Sequence, residues 1–450
     1  MPKWFKSDSD TKKDAAAEGA ADVLHASMDN VSALSSLRVA NFRLLFGGSV
    51  FSNAAQWIQQ VTLSWLVYDM TGSGTILGSI NLVRAVASLV MIPLAGLLVD
   101  RLNRRNLIII ENGWLFTITL VLGIMLLFDR ANVSYLFVFA FMGGMVQTVD
   151  MTLRQVLIFD LVPRSLAPNA VALIQTGWSL MRVLGPSLGG FFILWFGAGG
   201  NFLIQSGVYV LVAVTIVQIK FPVRKSIDIV RGSPIQNIRD GIQFVAKERV
   251  TRTFMLMGVI MPLLTIPIFS ILPPIYAVQV FGDTSGRILG FLMASVGAGG
   301  IVGGVVVASL GRFEYRGRLQ LVALFLLSLS LIAFAFSSTL LLALFCLMLS
   351  GFFEMIFLAT NQTLLQLSIP DQLRGRVTAV VNLSMALSPL GGLLAGVGSD
   401  LLGGPKTITI ILASIAAGIA VFVFLASPTI RNYRFSQGMD PSRGNIKFGT

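Results

Sequence analysis

Charge is scarce in this chain. Asp, Glu, Lys and Arg make up 12% of its 450 residues, about half the share usual in a soluble domain. Cysteine is represented once, by Cys346, so neither a disulfide framework nor a thiolate metal cluster can form within it. The single histidine, His25, lies in the polar N-terminal stretch and reads as a solvated tail residue. No apolar run therefore holds an imidazole for a Ser/His/Asp set or a histidine metal site. No Gly-x-x-x-x-Gly-Lys loop is present to cradle a nucleotide phosphate, which argues against ATP as an energy source. An enzyme is not expected, nor is a bound cofactor or metal. The first 36 residues are polar and rich in Ala and Ser. The first apolar run, near Leu44, is too long for a signal-peptide core.

What the chain has in abundance is apolar length. Hydrophobic residues make up 55% of it, and the mean hydropathy is +0.80. Twelve runs reach the length that crosses a hydrocarbon core of about 30 Å as a helix. They cover about 44–69, 75–99, 106–128, 134–160, 171–196, 201–220, 253–280, 287–310, 319–337, 339–363, 377–399 and 407–426. With the N-terminus inside, and Lys220 counted at the cytoplasmic edge of its span, 27 of the 33 Lys and Arg fall on cytoplasmic segments. Arg130, Arg287 and Lys406 fall outside, and Arg84, Arg154 and Arg182 within spans. That asymmetry is the positive-inside pattern, so the net charge of +12 expresses topology and not nucleic-acid binding. The expected protein is a monomer in the cell (inner or plasma) membrane, embedded in the lipid bilayer, with both termini cytoplasmic.

The chain also repeats itself. Ile76-Leu77-Gly78 returns as Ile288-Leu289-Gly290 after 212 residues, and Leu161-Val162-Pro163 to Leu166 returns as Ile369-Pro370 to Leu373 after 207. Offsets of half the membrane region point to two six-helix halves. The expected organisation is a tail (1–36), a first bundle (37–220), a central loop (221–252), a second bundle (253–426) and a C-terminal tail (427–450). In the loop, Ile235, Ile238, Ile242 and Val245 share one helical face, which predicts an amphipathic helix on the inner membrane surface.

One junction stands out. The run from Ile76 ends at Gly96-Leu97-Leu98-Val99-Asp100-Arg101-Leu102-Asn103-Arg104-Arg105. Gly96 is expected to admit a neighbouring helix, Asn103 to take a turn with positive φ, and Asp100 to face another helix's N-terminus. This decapeptide resembles the loop signature between spans 2 and 3 of the major facilitator superfamily, with Asn103 in place of its second glycine. Leu37-Arg38-Val39-Ala40-Asn41-Phe42-Arg43 and Trp65-Leu66-Val67-Tyr68-Asp69 resemble the branch that holds enterobactin exporters and macrolide efflux pumps. Gly185-Pro186-Ser187-Leu188-Gly189-Gly190 is similar to the antiporter signature of span 5, with Met181 where that signature has another glycine. The resemblance implies an all-α membrane protein of twelve transmembrane helices in two pseudo-symmetric six-helix bundles, the major facilitator fold, working by alternating access and proton antiport.

Polar residues inside the spans form stripes. Ser49, Asn53, Gln56, Gln60 and Ser64 lie three or four apart, as do Asn81, Arg84 and Ser88. So do Gln147, Asp150 and Arg154, then Gln175, Ser179, Arg182 and Pro186. Ser350, Glu354 and Asn361 align as well. Ionisable groups are costly in lipid, so five stripes together suggest a shared wet chamber; hydrogen-bonded glue between helices is the alternative for any single one. The substrate, a small molecule, is expected to meet Asn53, Gln56, Trp57, Gln60, Arg84, Gln147, Arg182, Ser350 and Asn361. A carboxyl group in a low-dielectric chamber is costly to ionise, which suits it to exchange a coupling proton. Glu354 has no basic residue in its span and is the first choice for that proton. Asp150 is the second, with Arg154 modulating it, unless the two form a purely structural pair. Gly96, Asp100, Arg101, Arg104 and Arg105 are expected to gate the cytoplasmic face through the opposite half, with Glu111 as partner to these arginines. The function this implies is proton-coupled export of an amphipathic drug, siderophore or lipid-like metabolite. Uptake or facilitated diffusion on the same fold, and a membrane receptor or scaffold that moves nothing, are the alternatives.

Overall fold

The computed structural model describes residues 34–219, 234–310, 313–369 and 387–433, with scattered positions between 370 and 386. Expectations placed on residues 1–33, His25 among them, and on most of both the central loop's first half and the C-terminal tail lie outside the described residues.

The described residues are almost wholly helical. Four helices open the chain: α1 (Ala40–Thr71), α2 (Gly74–Arg101), α3 (Arg104–Leu127) and α4 (Val133–Leu161). The run Ala167–Val217 then breaks at Gly197, whose φ of 66° no helix interior accepts, into α5 (167–196) and α6 (198–217). After α7 (Pro234–Lys247) come α8 (Arg249–Val280), α9 (Arg287–Ser309), α10 (Arg316–Phe336), α11 (Leu340–Leu367), α12 (Ser388–Leu401) and α13 (Pro405–Ala426). Nine of these runs are long and apolar enough to cross a bilayer. Ala167–Val217 supplies two spans, α1 is diluted by its polar stripe, and the first half of the span ending in α12 falls among the positions between 370 and 386. The twelve expected spans are thus accounted for in order.

Turn chemistry sets the breaks between helices. Gly72, at φ 61°, closes α1 with its N–H on the Tyr68 carbonyl, and the Ser73 hydroxyl accepts from the Ile76 N–H to start α2. Asn103 corrects its expectation: its φ is −65°, and its side chain accepts the Arg105 N–H at 3.0 Å to cap α3. Asparagine serves there as a cap and not as a left-handed turn residue. α8 is irregular, with wide π turns at Met261–Thr265 and Tyr276–Val280 around Pro262, Pro267, Pro273 and Pro274.

In the first half α1 packs on α5 and α6, α3 on α6, and α2 on α4. In the second, α11 packs on α9 and α10, and α10 on α13. Leu89, Val90 and Ile92 on α2, Val302 and Val305 on α9, and Phe422 and Leu425 on α13 stay exposed, an apolar outer surface suited to lipid. The halves meet through two seams, α2 on α12 and α5 on α9. Both are made by glycine. A Cβ on Gly396 would overlap the Gly74 carbonyl oxygen, one on Gly190 would overlap Gly290, and one on Gly78 would lie 2.8 Å from the Leu393 Cα. Gly96 does not act this way: nothing lies within 4 Å of the position a Cβ would take. The close approach occurs at the other end of α2.

The predicted amphipathic helix is present as α7 and leans on the second half. Its Gly241 rests on the Arg376 carbonyl, Phe244 and Val245 are buried in the core of the second half, and Ile242 is exposed. Of the predicted stripe, Val245 is thus buried and Ile242 exposed, while the side chains of Ile235 and Ile238 lie outside the described residues.

Candidate functional site

The polar stripes of α1, α2 and α4 converge inside the first half. The Arg84 guanidinium donates twice to the Gln147 side-chain oxygen, at 3.2 and 2.6 Å. Gln147 donates to Gln56 at 3.1 Å, and Gln56 donates to Asp150 at 3.4 Å. Asp150 in turn pairs with Arg154 one helical turn away, and Arg154 Nη1 donates to the Ser49 hydroxyl at 3.1 Å. One continuous chain therefore runs from half-buried Arg84 to fully buried Arg154 across three helices. Asp150 offsets Arg154, and the guanidinium of Arg84 is met by the neutral Gln147 amide.

Across from this network stands the contact that joins the halves at mid-depth. Arg182 of α5 donates from Nη2 to Oε1 of Glu354 on α11 at 2.8 Å. The arginine side chain keeps 33% of its exposure and the glutamate 11%. Glu354, without a basic partner in its own span, takes one from the opposite bundle. Trp57 lies on the same side of α1, edge to face with Trp178 of α5 at 6.0 Å between ring centroids, and the backbone of Gly185 fits against its Cβ. Asn53 and Gln60 are half-buried on α1.

Other expected wall residues are not on a wall. The Ser350 hydroxyl is fully buried, bonded to the Cys346 carbonyl and to Ser330 at 2.8 Å. Asn361 accepts from Gln320 Nε2 at 2.6 Å, with both side chains buried between α10 and α11. These two are corrected to interhelical glue inside the second half. Two of the expected gate residues have partners within their own half in this conformer. Arg104 pairs with Asp160 of α4, and Arg105 donates to the Val217 carbonyl at 3.1 Å; both partners belong to the same half. Arg101 is exposed and Asp100 half-buried at the end of α2. Glu111 is not a partner of these arginines. It is 4% exposed, seven residues beyond Arg104 on α3, and its Oε1 accepts from the neighbouring Asn112 amide at 3.4 Å. Arg104 pairs with Asp160 instead.

At the opposite end the halves are latched. Asp400, at the end of α12, accepts the Ser73 hydroxyl at 2.7 Å and the N–H groups of Gly74 and Thr75 at 2.8 and 2.9 Å. A carboxylate on the first turn of α2 answers both its unpaired N–H groups and its dipole. Burial raises the Asp400 carboxyl, but hydrogen bonds from Thr75, Ser73 and Gly74 outweigh it and hold the group below the usual carboxylate range. Trp65 and Ile193 close against Gly286 at the same end. Sequence reasoning missed Asp400, which carried no signal beyond being an acid just past a span. It also missed the buried line Thr62, Asn201, Gln205, Tyr209 and Gln59. The four-residue spacing of Asn201 and Gln205 was the available clue there.

Residues 31–441 match the family described as transmembrane secretion effector. The chain is 25% identical over 385 residues to the staphyloferrin A transporter of Staphylococcus aureus, covering 85% of this chain and 96% of that one. It is 26% identical over 372 residues to the multidrug efflux pump Tap of Mycolicibacterium fortuitum, covering 80% and 89%. In fold it is similar to a bacterial homolog of the human lysosomal transporter Spinster in an inward-facing, unoccupied conformation. That match has a TM-score of 0.68 at 16% identity, over 87% of this chain and 97% of the other. The inward-open xylose transporter XylE of E. coli gives a TM-score of 0.61 at 13% identity, over 86% and 96%.

Proposed function

We propose that this chain, which belongs to the transmembrane secretion effector family of major facilitator transporters, exports an amphipathic small molecule in exchange for protons. That it is a multi-pass membrane transporter follows from the family. The direction, the coupling ion and the kind of cargo are our reading. The arginine-rich end is taken as cytoplasmic from the 27 basic residues on that side. The latched end then faces outward, and the conformer is the one that would load cargo from inside.

The observation that carries the proposal is the Arg182–Glu354 pair at 2.8 Å. It is an ion pair between halves that must separate during alternating access, with one member able to take up a proton. A proton arriving at Glu354 removes its charge, frees Arg182 and weakens the mid-depth tie between the bundles. Departing cargo and arriving proton would thus use one contact in turn. Trp57 and Trp178 offer flat apolar faces for the cargo, and Arg84, Gln147 and Gln56 offer polar ones. The names of the two relatives, for staphyloferrin A transport and multidrug efflux, support a cargo that mixes apolar and polar groups. No bound cofactor is invoked.

Inverted vesicles with a lipophilic dye or a siderophore as cargo provide the test. Uncoupler should collapse the cargo gradient of the wild-type protein, and Glu354→Gln should abolish proton-dependent accumulation while leaving exchange of cargo for cargo. Glu354→Gln protein that still dissipated a proton gradient during transport would remove the idea.

A further inference from the structure

We infer that Arg84 is an anion-binding subsite in the first half, and that the cargo carries a carboxylate on a flat apolar body. The inference deepens the export reading by naming the class of cargo, and it rests on that reading only for the direction of movement. The base of the Arg84 side chain is fixed. A Cβ on Gly144 of α4 would overlap the Arg84 carbonyl oxygen and lie 3.2 Å from its Cγ, and the Ser88 hydroxyl is 3.0 Å from both the Arg84 and the Gly144 carbonyls. The guanidinium is aimed by Gln147, whose side-chain oxygen takes Nε and Nη2 along one edge of the fork, and Gln147 is held in turn by Gln56. Those bonds engage two of the five N–H groups an arginine offers. The other edge, Nη1 with the second N–H of Nη2, meets no acceptor among the described residues. Nη1 stays accessible there, whereas Nη2 of Arg154, also without a partner, is sealed off.

No carboxylate answers this charge. Among the described residues Asp150 pairs with Arg154, Asp160 with Arg104 and Glu354 with Arg182. Glu111 is buried on α3 and accepts from the Asn112 amide, with no ion pair to Arg84. A guanidinium inside a membrane domain that meets only neutral amides is an unfavourable arrangement as it stands. An arriving carboxylate relieves it, because the open edge of the planar fork matches two carboxylate oxygens. The apolar body of the cargo has a surface beside it. Trp57 follows Gln56 on α1 and lies edge to face with Trp178, and Trp178 is one helical turn before Arg182. The aromatic pair thus links the Arg84 network to the Arg182–Glu354 contact. A cationic amphiphile of the same shape would meet Arg84 as a like charge and is disfavoured.

Equilibrium binding to the purified full-length protein tests this without any gradient. The probes are naphthylacetic acid, ionised at neutral pH, and its neutral methyl ester, each followed by titration calorimetry. The acid should bind at least about tenfold more tightly than the ester, as one hydrogen-bonded charge contact provides. Arg84→Gln should make the two affinities equal, and Arg84→Lys, which keeps the charge without the fork, should retain part of the preference. Equal affinities in the wild-type protein, no binding of the acid, or an undiminished preference in Arg84→Gln would overturn the inference. If Arg84→Gln does not fold, Gln147→Glu takes its place: it supplies Arg84 with a carboxylate from within, so the advantage of acid over ester should vanish, and an advantage that persists overturns the inference equally. The preference without proton-dependent flux counts against antiport and leaves the subsite standing; coupled flux without the preference does the reverse.

Discussion

Replacing Asp400 with alanine should unlatch the closed end. The carboxylate holds three donors of the first turn of α2 at 2.7, 2.8 and 2.9 Å. A hydrogen bond to a charged group contributes about 1.5–3 kcal/mol where it is well buried. Asp400 is exposed, so water takes over much of each bond. The net loss then falls near that of a helix cap, about 1–1.5 kcal/mol. At 1.4 kcal/mol per decade, the ratio of open to closed forms at this end should rise about five- to tenfold. Met70 and Leu402 are exposed at this end on opposite halves, so spin labels attached through Met70→Cys and Leu402→Cys report the separation. The background for this is Cys346→Ala, which removes the native thiol. Pulsed electron resonance should show the long-distance population growing in Asp400→Ala. The pH sign follows from the lowered Asp400 carboxyl. A group lowered by its contacts supports closure above its ordinary value, and that support is lost as pH falls through the lowered one. The long-distance population should stay flat across neutral pH and rise only below about pH 4, and Asp400→Ala should show no such rise. Superimposable distance distributions for the two proteins would refute the latch.

Three further outcomes follow from the packing. Gly396→Val places a branched side chain where Gly74 already sits, so transport should fall at least about tenfold with the same spin pair reporting an open end. Gly96→Ala meets open space and should leave both transport and melting temperature unchanged. Asn361→Ala removes the acceptor of a fully buried Gln320 amide, which should cost about 1–3 kcal/mol, read as a lower melting temperature with cargo KM unaltered; an altered KM at full stability would return Asn361 to the cavity wall.

How far the sequence reaches can be seen in these residues. Run length and arginine placement located the spans because lipid imposes both directly. The repeated Ile-Leu-Gly triplet is more than a trace of duplication, since Gly78 and Gly290 each lie where backbone of the opposite half packs directly against them. Partners across helices were not legible. Ser350 and Asn361 have the spacing of a cavity stripe, but the same spacing suits a buried seam. The difference lies in Ser330 and Gln320, 20 and 41 positions away. Glu111 was assigned to the arginines near it in sequence because helix rotation is invisible in a composition pattern. In the structure it is buried on α3, with the adjacent Asn112 amide as its donor.

The two halves also differ where the repeat would make them equal, and that difference has a mechanical consequence. The start of α9 is capped from its own loop, by Asp283 accepting the Ile288 and Leu289 N–H groups at 2.8 and 3.1 Å. The start of α2, its counterpart by the 212-residue offset, is capped by Asp400 from the opposite bundle. Opening the closed end therefore breaks a charged cap on the α2–α12 seam, whereas on the α5–α9 seam it separates a glycine fit with the cap left whole. Acid or loss of the carboxylate should thus loosen the first seam and leave the second unaffected. Exchanging the roles, by Asp283→Ala with Asp400 intact, should fray the first turn of α9 without opening the end. Spin labels across each seam in turn would show this, and equal loosening of both seams in Asp400→Ala would mean that the bundles separate as one rigid contact and that the cap is incidental.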